Sequence, residues 1–148
     1  MVRFTDKGNA NEVTITATAK SNPTRVFHYA FKLSDWYINN GMIETTWSDA
    51  KAYCANKNTS LPTRLQLGGT AQQALEYNQR GTIGSLWSEW GNLRNFISNI
   101  PPPPASTFWT SEIDHNNQYY AIFTSNGLLG AYPNSTNSNS YAVCRIEL

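Results

Sequence analysis

The sequence predicts an α+β domain, because stretches typical of strands stand at both ends of the chain and stretches typical of helices lie between them. Alternating apolar and polar residues predict two half-buried strands near the N-terminus, and apolar runs rich in aromatic and β-branched residues predict four more near the C-terminus. With 148 residues, the chain is long enough for one compact domain, or for one domain plus a fragment. The predicted strands cover 13–20, 27–33, 108–112, 119–125, 128–132 and 141–148, and the predicted helices cover 46–54, 64–67, 70–79 and 86–97.

The first predicted helix has the clearest start signal in the chain. Thr46 and Asp49 have the spacing of a capping box, in which side chains bond the unpaired N–H groups of the first turn. Behind this cap, Trp47, Ala50 and Cys54 lie at helical spacing and form one apolar stripe. The helix is therefore predicted to pack against the core through this stripe.

The chain has only two cysteines, and the second lies in the last predicted strand. If Cys54 and Cys144 pair, the first helix is covalently joined to that strand. Closing a loop of 144 − 54 = 90 positions would restrict the unfolded chain by about 4–5 kcal/mol in the entropic description. The alternative is two buried free thiols, which are common in cytosolic proteins.

Turn signals separate the remaining elements. A turn is predicted over 39–41, Thr63 is predicted to cap the short helix that follows Pro62, and Asn126-Gly127 predicts a hairpin. Four consecutive prolines within 98–107 favour polyproline II conformation in a stiff surface loop, and the alternative is a ligand for an aromatic-lined groove of a partner.

Composition excludes several classes of protein. The formal charge is +1 and only 14% of residues are charged, so the chain offers no basic field for nucleic acid. Neutral polar residues are abundant, with 17 Asn, 15 Thr and 13 Ser, a balance that favours an extracellular β-rich protein. No apolar run approaches the ~18–20 residues of a membrane helix, and the first residues lack the apolar region of a signal peptide. The sequence is thus either cytosolic or a piece of a longer secreted chain.

Neither catalysis nor metal binding is predicted. His28 and His115 are isolated, and no nucleophile, phosphate-loop or metalloprotease motif occurs. The carboxylates Glu112, Asp114 and Glu147 are too few for a calcium site in the C-terminal third, and two cysteines with two scattered histidines lack zinc spacing. We therefore expect a non-enzymatic protein without catalytic residues, metal or cofactor.

The aromatic residues divide into core and surface candidates. Trp36, Trp47 and Trp109 are expected in the core, and at least one of the pair 87 and 90 is expected to be exposed. Tyr132 lies in a stretch rich in Gly, Pro and Asn, and we expect it to stand in solvent. Exposed aromatic residues flanked by Asn and Ser are typical of protein–protein contact surfaces.

Six segments occur in the order seen in one family: WSDAKAYC, LPTRLQL, LWSEWGNL, FWTSE, YYAIFTSNG and YAVCRIEL. With them the chain resembles the C-terminal C-type-lectin-like domain of invasin/intimin-type (inverse autotransporter) bacterial adhesins. The resemblance covers about residues 27–148, and VTITATAK over 13–20 resembles the last strand of a bacterial immunoglobulin-like domain, which assigns 1–26 to such a domain. It implies a C-type-lectin-like fold with mixed antiparallel sheets and a Cys54–Cys144 disulfide.

The resemblance also implies a function. These domains are receptor-binding tips at the extracellular end of outer-membrane adhesins, and they bind host proteins such as an integrin or another host glycoprotein such as an immunoglobulin. Calcium-dependent lectins carry Glu-Pro-Asn or Gln-Pro-Asp with a Trp-Asn-Asp triplet. This chain has Tyr132-Pro133-Asn134 and no such triplet, so we expect calcium-independent protein binding by a monomer, with no nucleic-acid partner and membrane attachment only through a missing N-terminal part.

Recognition is expected in loops and at one helix edge, because a rigid scaffold presents variable loops. Two other interpretations stay open: a carbohydrate-binding lectin with a non-standard site, and a phage or diversity-system receptor-binding protein on a related fold. The candidate contact residues are Arg94, Asp114, His115, Asn116, Tyr132, Asn134 and Asn137.

Overall fold

The computed structural model describes residues 8–95, 106–135 and 140–148. The chain divides into two compact units, one formed by Met1–Trp36 with Glu147–Leu148 and the other by Tyr37–Ile146. The predicted α+β class is confirmed. The strands are β1 (Glu12–Ala19), β2 (Asn22–Lys32), β3 (Asp35–Glu44), β4 (Thr107–Ile113), β5 (Tyr119–Phe123), β6 (Leu129–Tyr132) and β7 (Ser140–Glu147); the helices are α1 (Trp47–Asn56), α2 (Arg64–Leu67) and α3 (Leu86–Trp90), followed by a 3-10 turn at Leu93–Asn95.

The first unit is built on an antiparallel hairpin of β1 and β2. Both strands were predicted, although β2 begins at Asn22 rather than at 27. Residues that face each other across an antiparallel pair lie on the same side of the sheet. One side of this hairpin is therefore apolar, and most of it is exposed; it consists of Val13, Ile15, Ala17, Phe27, Tyr29 and Phe31.

The second unit contains a five-stranded sheet in the order β3-β7-β4-β5-β6. Strands β4, β5 and β6 are antiparallel to one another, whereas β4 and β7 run parallel. The four strands predicted near the C-terminus are confirmed. Strand β3 was not predicted, because the signal over 39–41 indicated a turn; instead the strand continues through Gly41 and Met42, which have φ of 75° and 59°.

Helix α1 packs on one face of this sheet, which we call the disulfide face. Cys54 and Cys144 form the disulfide that the resemblance implied, with 5.4 Å between their Cα atoms. The indole N–H of Trp47 donates to the carbonyl of Thr110 at 2.7 Å, and the indole of Trp109 donates to Thr45 at 2.9 Å. The core of this face consists of Trp47, Ala50, Cys54, Leu61, Trp109, Ala121, Ala142 and Cys144.

The opposite face, which we call the loop face, is covered by α2, α3 and the chain between them. Its side chains alternate along the strands with those of the disulfide face, as the two-residue period of a strand requires. Trp87 is buried here while Trp90 is 43% exposed, which confirms that one of the two reaches solvent. The core of this face consists of Leu67, Ala71, Trp87, Leu93, Phe108, Tyr120, Ile122, Leu129, Tyr141 and Val143.

The N-terminal caps of helices α1 and α2 differ in how completely the predicted capping box is formed. At Thr63 the predicted cap is a full capping box, in which Thr63 accepts the Gln66 N–H at 3.2 Å and the Gln66 side chain accepts the Thr63 N–H at 2.9 Å. At Thr46 the hydroxyl accepts the Asp49 N–H at 3.1 Å, but the Asp49 carboxylate contacts that hydroxyl at 2.7 Å and not the backbone. Only half of the predicted box is therefore formed.

Two helix predictions are wrong. Residues 70–79 form no helix, because side chains bond their backbone N–H groups in an irregular loop. The helix predicted over 86–97 ends at Trp90, because the chain turns at Gly91 with φ of 73°. Most of the proline-rich stretch over 98–107, and Asn137, lie outside the described residues.

Candidate functional site

The turn between β4 and β5 is folded by the carboxylate of Asp114. Its Oδ1 accepts the N–H groups of Asn116 and Gln118, each at 2.8 Å, and its own N–H donates to the Gln118 carbonyl at 2.7 Å. Partial desolvation opposes a lower pKa, yet these backbone donors hold the pKa of Asp114 below its ordinary value. Because Asp114 fixes the turn, His115 and Asn116 are presented at its exposed tip.

This turn forms one wall of a groove, and we call it the turn groove. The opposite wall is the loop segment Gln73–Leu75, and the floor comes from β5 and β6. Its volume is about 330 Å³, enough for one or two side chains of a partner. The lining residues are Gln73, Ala74, Leu75, Asp114, His115, Asn116, Gln118, Tyr120 and Ala131.

The loop that carries the second wall is held by Asn78, which is buried. Its Oδ1 accepts the N–H groups of Thr70 and Ala71 at 2.9 Å each, and its Nδ2 donates to the Gly127 carbonyl at 2.8 Å. One side chain thus satisfies two backbone N–H groups and adds a second donor to the Gly127 carbonyl, which also accepts the Asn78 N–H at 3.0 Å. Asn78 was not among the residues singled out from the sequence, since a single Asn carries no pattern that separates it from a surface residue.

Glu76 and Leu75 complete the same loop. The Glu76 carboxylate accepts the N–H groups of Gln72 at 2.7 Å and Gln73 at 3.2 Å, and these bonds lower the pKa of Glu76. Leu75 donates its N–H to the Leu129 carbonyl at 2.8 Å, and the Leu129 N–H donates to the Glu76 carbonyl at 2.9 Å. The loop is therefore bonded to the edge of β6, which fixes its position beside the groove.

The expectation that Tyr132 stands in solvent is wrong. Tyr132 is the last residue of β6, and its ring packs edge-on against Trp109 at 6.3 Å between centroids and lies 6.4 Å from Phe123. Burial raises the pKa of the Tyr132 phenol above its ordinary value. Its role in this structure is therefore packing at the end of the disulfide face.

Asn134 is also engaged within the molecule. Its Oδ1 accepts the Ser48 N–H at 3.1 Å and its Nδ2 donates to the Ser48 hydroxyl at 2.8 Å, so it supplies an extra acceptor to the first turn of α1. The segment Tyr132-Pro133-Asn134 thus has structural contacts where a calcium-dependent lectin would have ligands. Within the described ranges, no group of three or more His, Cys, Asp or Glu side chains is arranged to hold a metal ion.

Arg94 lies away from the other candidates. The neighbouring Leu93 N–H donates to Thr124, just beyond the C-terminal end of β5, whereas Asp114, His115 and Asn116 precede its N-terminal end. At ~3.3 Å per residue, the five residues of β5 separate the two ends by about 15 Å. The structure therefore brings the three turn residues together and separates them from Arg94.

None of the helices in the described part of the chain has the length and apolar character needed to cross a membrane.

Comparison with known proteins finds a relative by sequence and solved structures with a similar fold. No family model matches the chain. The inverse autotransporter adhesin YeeJ of Escherichia coli K12 is 28% identical over 127 residues, which are 85% of this chain and 5% of that protein. The chain therefore spans only a small part of the curated relative that it matches.

Two solved structures share the fold. Invasin, described as a bacterial integrin-binding protein, matches with a TM-score of 0.71 and 19% identity over 95% of this chain and 26% of its own. Intimin, solved in complex with Tir90, matches with a TM-score of 0.53 and 18% identity over 93% of this chain and 65% of that chain. The resemblance indicated by the sequence segments is confirmed: the chain is related to an inverse autotransporter adhesin and has the C-type-lectin-like fold of the C-terminal domains of invasin and intimin.

Proposed function

We propose that this chain is the receptor-binding end of a bacterial outer-membrane adhesin and attaches the cell to a host protein by protein–protein contact that needs no calcium. The observation that carries the proposal is the relation to an inverse autotransporter adhesin across 85% of the chain. The neighbouring folds support a partner that is a protein, since invasin is an integrin-binding protein and intimin was solved with Tir. The chain acts as a binding module at the bacterial surface rather than as an enzyme.

The turn groove is the contact surface that we propose. Asp114, His115 and Asn116 are held on a hydrogen-bonded turn of a rigid sheet, so a partner meets side chains that need little ordering on binding. Arg94 is proposed as a separate contact, because Arg anchors many interfaces. Asn137 stays a prediction from the sequence.

Calcium independence is supported by the engagement of the segment that would carry lectin ligands. The Asn134 amide bonds Ser48, and the Tyr132 ring packs against Trp109. Moving either group toward a cation would break these contacts. We therefore propose that Tyr132 and Asn134 support the surface and that the metal-dependent sugar site of other lectins is not used.

We also propose that the hairpin of β1 and β2 belongs to a preceding immunoglobulin-like domain. A two-stranded sheet is marginally stable alone, and this hairpin exposes an apolar side. The other sheet of a sandwich would cover that side. Pairing continues to Lys32, which favours residues 12–32 as one piece of that domain, rather than the division after residue 26 that the resemblance suggested. Slower amide exchange in β1 and β2 when the upstream residues of the natural protein are included would support this assignment, and unchanged exchange would contradict it.

The experiment that tests the function is binding of the fluorescently labelled chain to epithelial cells. The chain is treated with EDTA and desalted before use, so that metal is stripped from it and not from the cells. In a second arm the cells are treated briefly with protease. Binding that survives the first treatment and is lost after the second is expected for calcium-independent attachment to a host protein. Loss after EDTA would instead favour a metal-dependent lectin, and absence of binding would contradict the proposal.

A further inference from the structure

We propose that the turn groove takes an extended segment of the partner protein that carries a lysine or arginine, with Leu75 as the apolar anchor of the contact. This inference rests on the proposed function and specifies the kind of segment that is recognised. Three independent observations carry it: an open stretch of sheet edge, a leucine in an unfavourable backbone conformation, and the carboxylate of Asp114 in a groove whose described lining contains no Lys or Arg.

The open edge lies at Ala131 in β6. Leu129 uses its N–H and C=O to bond the loop at Glu76 and Leu75, so the backbone of residue 129 points away from β5. Alternate residues of a strand point their backbone groups the same way, and those of Ala131 therefore also point outward. Among the described residues nothing bonds them, and Ala131 lines the groove.

This edge has room for a short pairing only. Pro133 follows two residues later and has no N–H, which prevents a continued ladder. The loop at Leu75 and Glu76 already occupies the edge at Leu129. An added segment in extended conformation would thus exchange one pair of backbone hydrogen bonds with Ala131 and obtain its remaining affinity from side chains.

Leu75 is suited to provide part of that affinity. Its φ is 72°, a left-handed conformation that is uncommon for a bulky residue, and 81% of the residue is exposed. Burial within the chain does not explain a leucine at this position. The hydrogen bond from its N–H to Leu129 holds it rigidly at the rim of the groove, where an apolar side chain of a partner would cover it.

The charge at the groove selects a cation. Within the described ranges, the residues that line the groove include the carboxylate of Asp114 and no Lys or Arg. Arg64, which lies near Gln72, is engaged by Glu112 at 3.0 Å and also donates to the Gln72 carbonyl. The carboxylates of Asp114 and Glu76 are both held ionised by backbone N–H donors. Among the residues that the structure describes, Asp114 Oδ2 accepts from the Asn116 amide alone, at 3.5 Å, which leaves it open to an ammonium or guanidinium group.

A random dodecapeptide library displayed on phage is the first probe, with the full chain as the immobilised target. Enriched peptides are expected to carry lysine or arginine beside an apolar residue. The most enriched peptide, synthesised and titrated into 15N-labelled chain, is expected to shift the amides of Leu75, Asp114 and Ala131. No enrichment, enrichment of acidic peptides, or shifts confined to other surfaces would overturn the inference.

Two variants then test the residues. Leu75→Gly removes the side chain and relieves the positive φ, so the melting temperature should stay level or rise while peptide affinity falls at least about tenfold. Asp114→Asn keeps the oxygen that accepts the turn N–H groups and removes the charge, so affinity should fall by a similar factor and lose most of its salt dependence. Unchanged affinity in both variants would overturn the inference.

Matched controls are Ile83→Gly, which removes another highly exposed aliphatic side chain, and Glu44→Gln, which removes a carboxylate on the opposite edge strand. Neither residue lines the groove, and both variants should bind like the parent. The cell assay separates the two proposals. If the parent binds cells and both groove variants bind them equally well, this inference fails and the proposed function stands. If the parent binds no cells, the proposed function fails, and the peptide titration still decides whether the groove binds basic segments.

Discussion

The two faces of the central sheet are covered in different ways. On the disulfide face, a regular helix lies across the strands and is joined to β7 by the Cys54–Cys144 bridge. On the loop face, most of the chain between residues 68 and 92 is irregular, and individual side chains such as those of Asn78 and Glu76 bond its backbone. Apolar packing contributes to both faces, but only the first is also held by a covalent cross-link.

The disulfide face therefore contributes mainly to stability, whereas the loop face carries the exposed residues that we propose for recognition. The loop face exposes a cluster of large apolar residues along one stretch of the chain, and the turn groove opens beside that stretch. Loops on a rigid scaffold tolerate such exposure, whereas a packed helix does not. The exposed residues of this stretch are Leu75, Tyr77, Ile83 and Trp90.

The largest effect on stability is expected from removing the disulfide of the disulfide face. In the double variant Cys54→Ala/Cys144→Ala, loss of a bridge that spans 90 positions should lower the free energy of unfolding by about 4–5 kcal/mol. A change of this size lowers the melting temperature by about 10 °C or more in a domain of this length. Thermal unfolding followed by circular dichroism without reductant measures it. Because Cys54 and Cys144 are both fully buried and cannot contact a partner, binding to cells well below the melting temperature should be retained.

Reduction of the unmodified chain with dithiothreitol is the control for this prediction. It should lower the melting temperature by a similar amount and leave the double variant unaffected. A melting temperature of the variant within about 3 °C of the parent would contradict the assigned role of the bridge.

The next effect is expected on the loop face. Asn78→Ala would leave the N–H groups of Thr70 and Ala71 without their acceptor, at a cost of about 2–4 kcal/mol, while the Gly127 carbonyl would keep the backbone N–H of residue 78. Urea unfolding measures the change. Asn92→Ala is the matched control, because Asn92 is exposed and, within the described ranges, its side chain accepts the Arg94 N–H alone, so its loss should cost less than about 1 kcal/mol. Equal effects of the two variants would show that Asn78 does not organise the loop.

The contrast between the regular helix of the disulfide face and the irregular chain of the loop face also explains which elements could be predicted from the sequence. Helix α1 follows from local rules, since its cap and apolar stripe lie within nine residues, and the hairpin at Asn126-Gly127 follows from two adjacent residues. The loop over 70–79 has helical spacing of apolar residues, but Asn78 bonds a carbonyl 49 positions away, which no local pattern records. Such distant side-chain bonds determined the loop, and local propensity did not.

The candidate site was predictable to a similar extent. The turn residues Asp114, His115 and Asn116 could be identified because a polar turn between two strands is visible in the sequence. Tyr132 was misplaced, since its neighbours Pro133 and Asn134 indicate a loop, whereas pairing with Tyr119 keeps it in β6. Leu75 gave no signal at all, because backbone conformation at one residue depends on the bonds made by the folded loop.

A smaller effect on the free energy of unfolding is expected at the turn between β5 and β6, which contacts Trp87 on the loop face. Gly127 has φ of 73°, and a Cβ atom there would lie 2.6 Å from the ring of Trp87. Gly127→Ala should therefore cost about 1–3 kcal/mol, from both the left-handed conformation and the crowded ring. Gly41→Ala isolates the first contribution, because Gly41 has φ of 75° and open space around its Cα. A cost no larger at Gly127 than at Gly41 in urea unfolding would mean that the Trp87 ring yields freely.

The smallest effect is expected from acid, and it should appear on the loop face alone. The Gln72 and Gln73 N–H groups lower the pKa of Glu76 below its ordinary value of 4.5, although partial desolvation opposes them. A lowered pKa stabilises the loop above the ordinary pKa, and this contribution is lost as the pH falls through the value in the folded chain. Amide shifts of Gln72 and Gln73 should therefore titrate with a midpoint below 4.5, while the amide of Ala50 in α1 stays constant over the same range.

Glu76→Gln is the control for the acid titration, because its amide oxygen can still accept both N–H groups but carries no ionisable proton. In this variant the shifts of Gln72 and Gln73 should no longer depend on pH between 6 and about 2.5. If they titrate as before, another group controls the loop, and Asp114 is then a candidate, since it lines the same groove as Gln73 and its pKa is also lowered. If Ala50 moves together with the loop, acid acts on the whole unit, and the two faces of the sheet are not independent in stability.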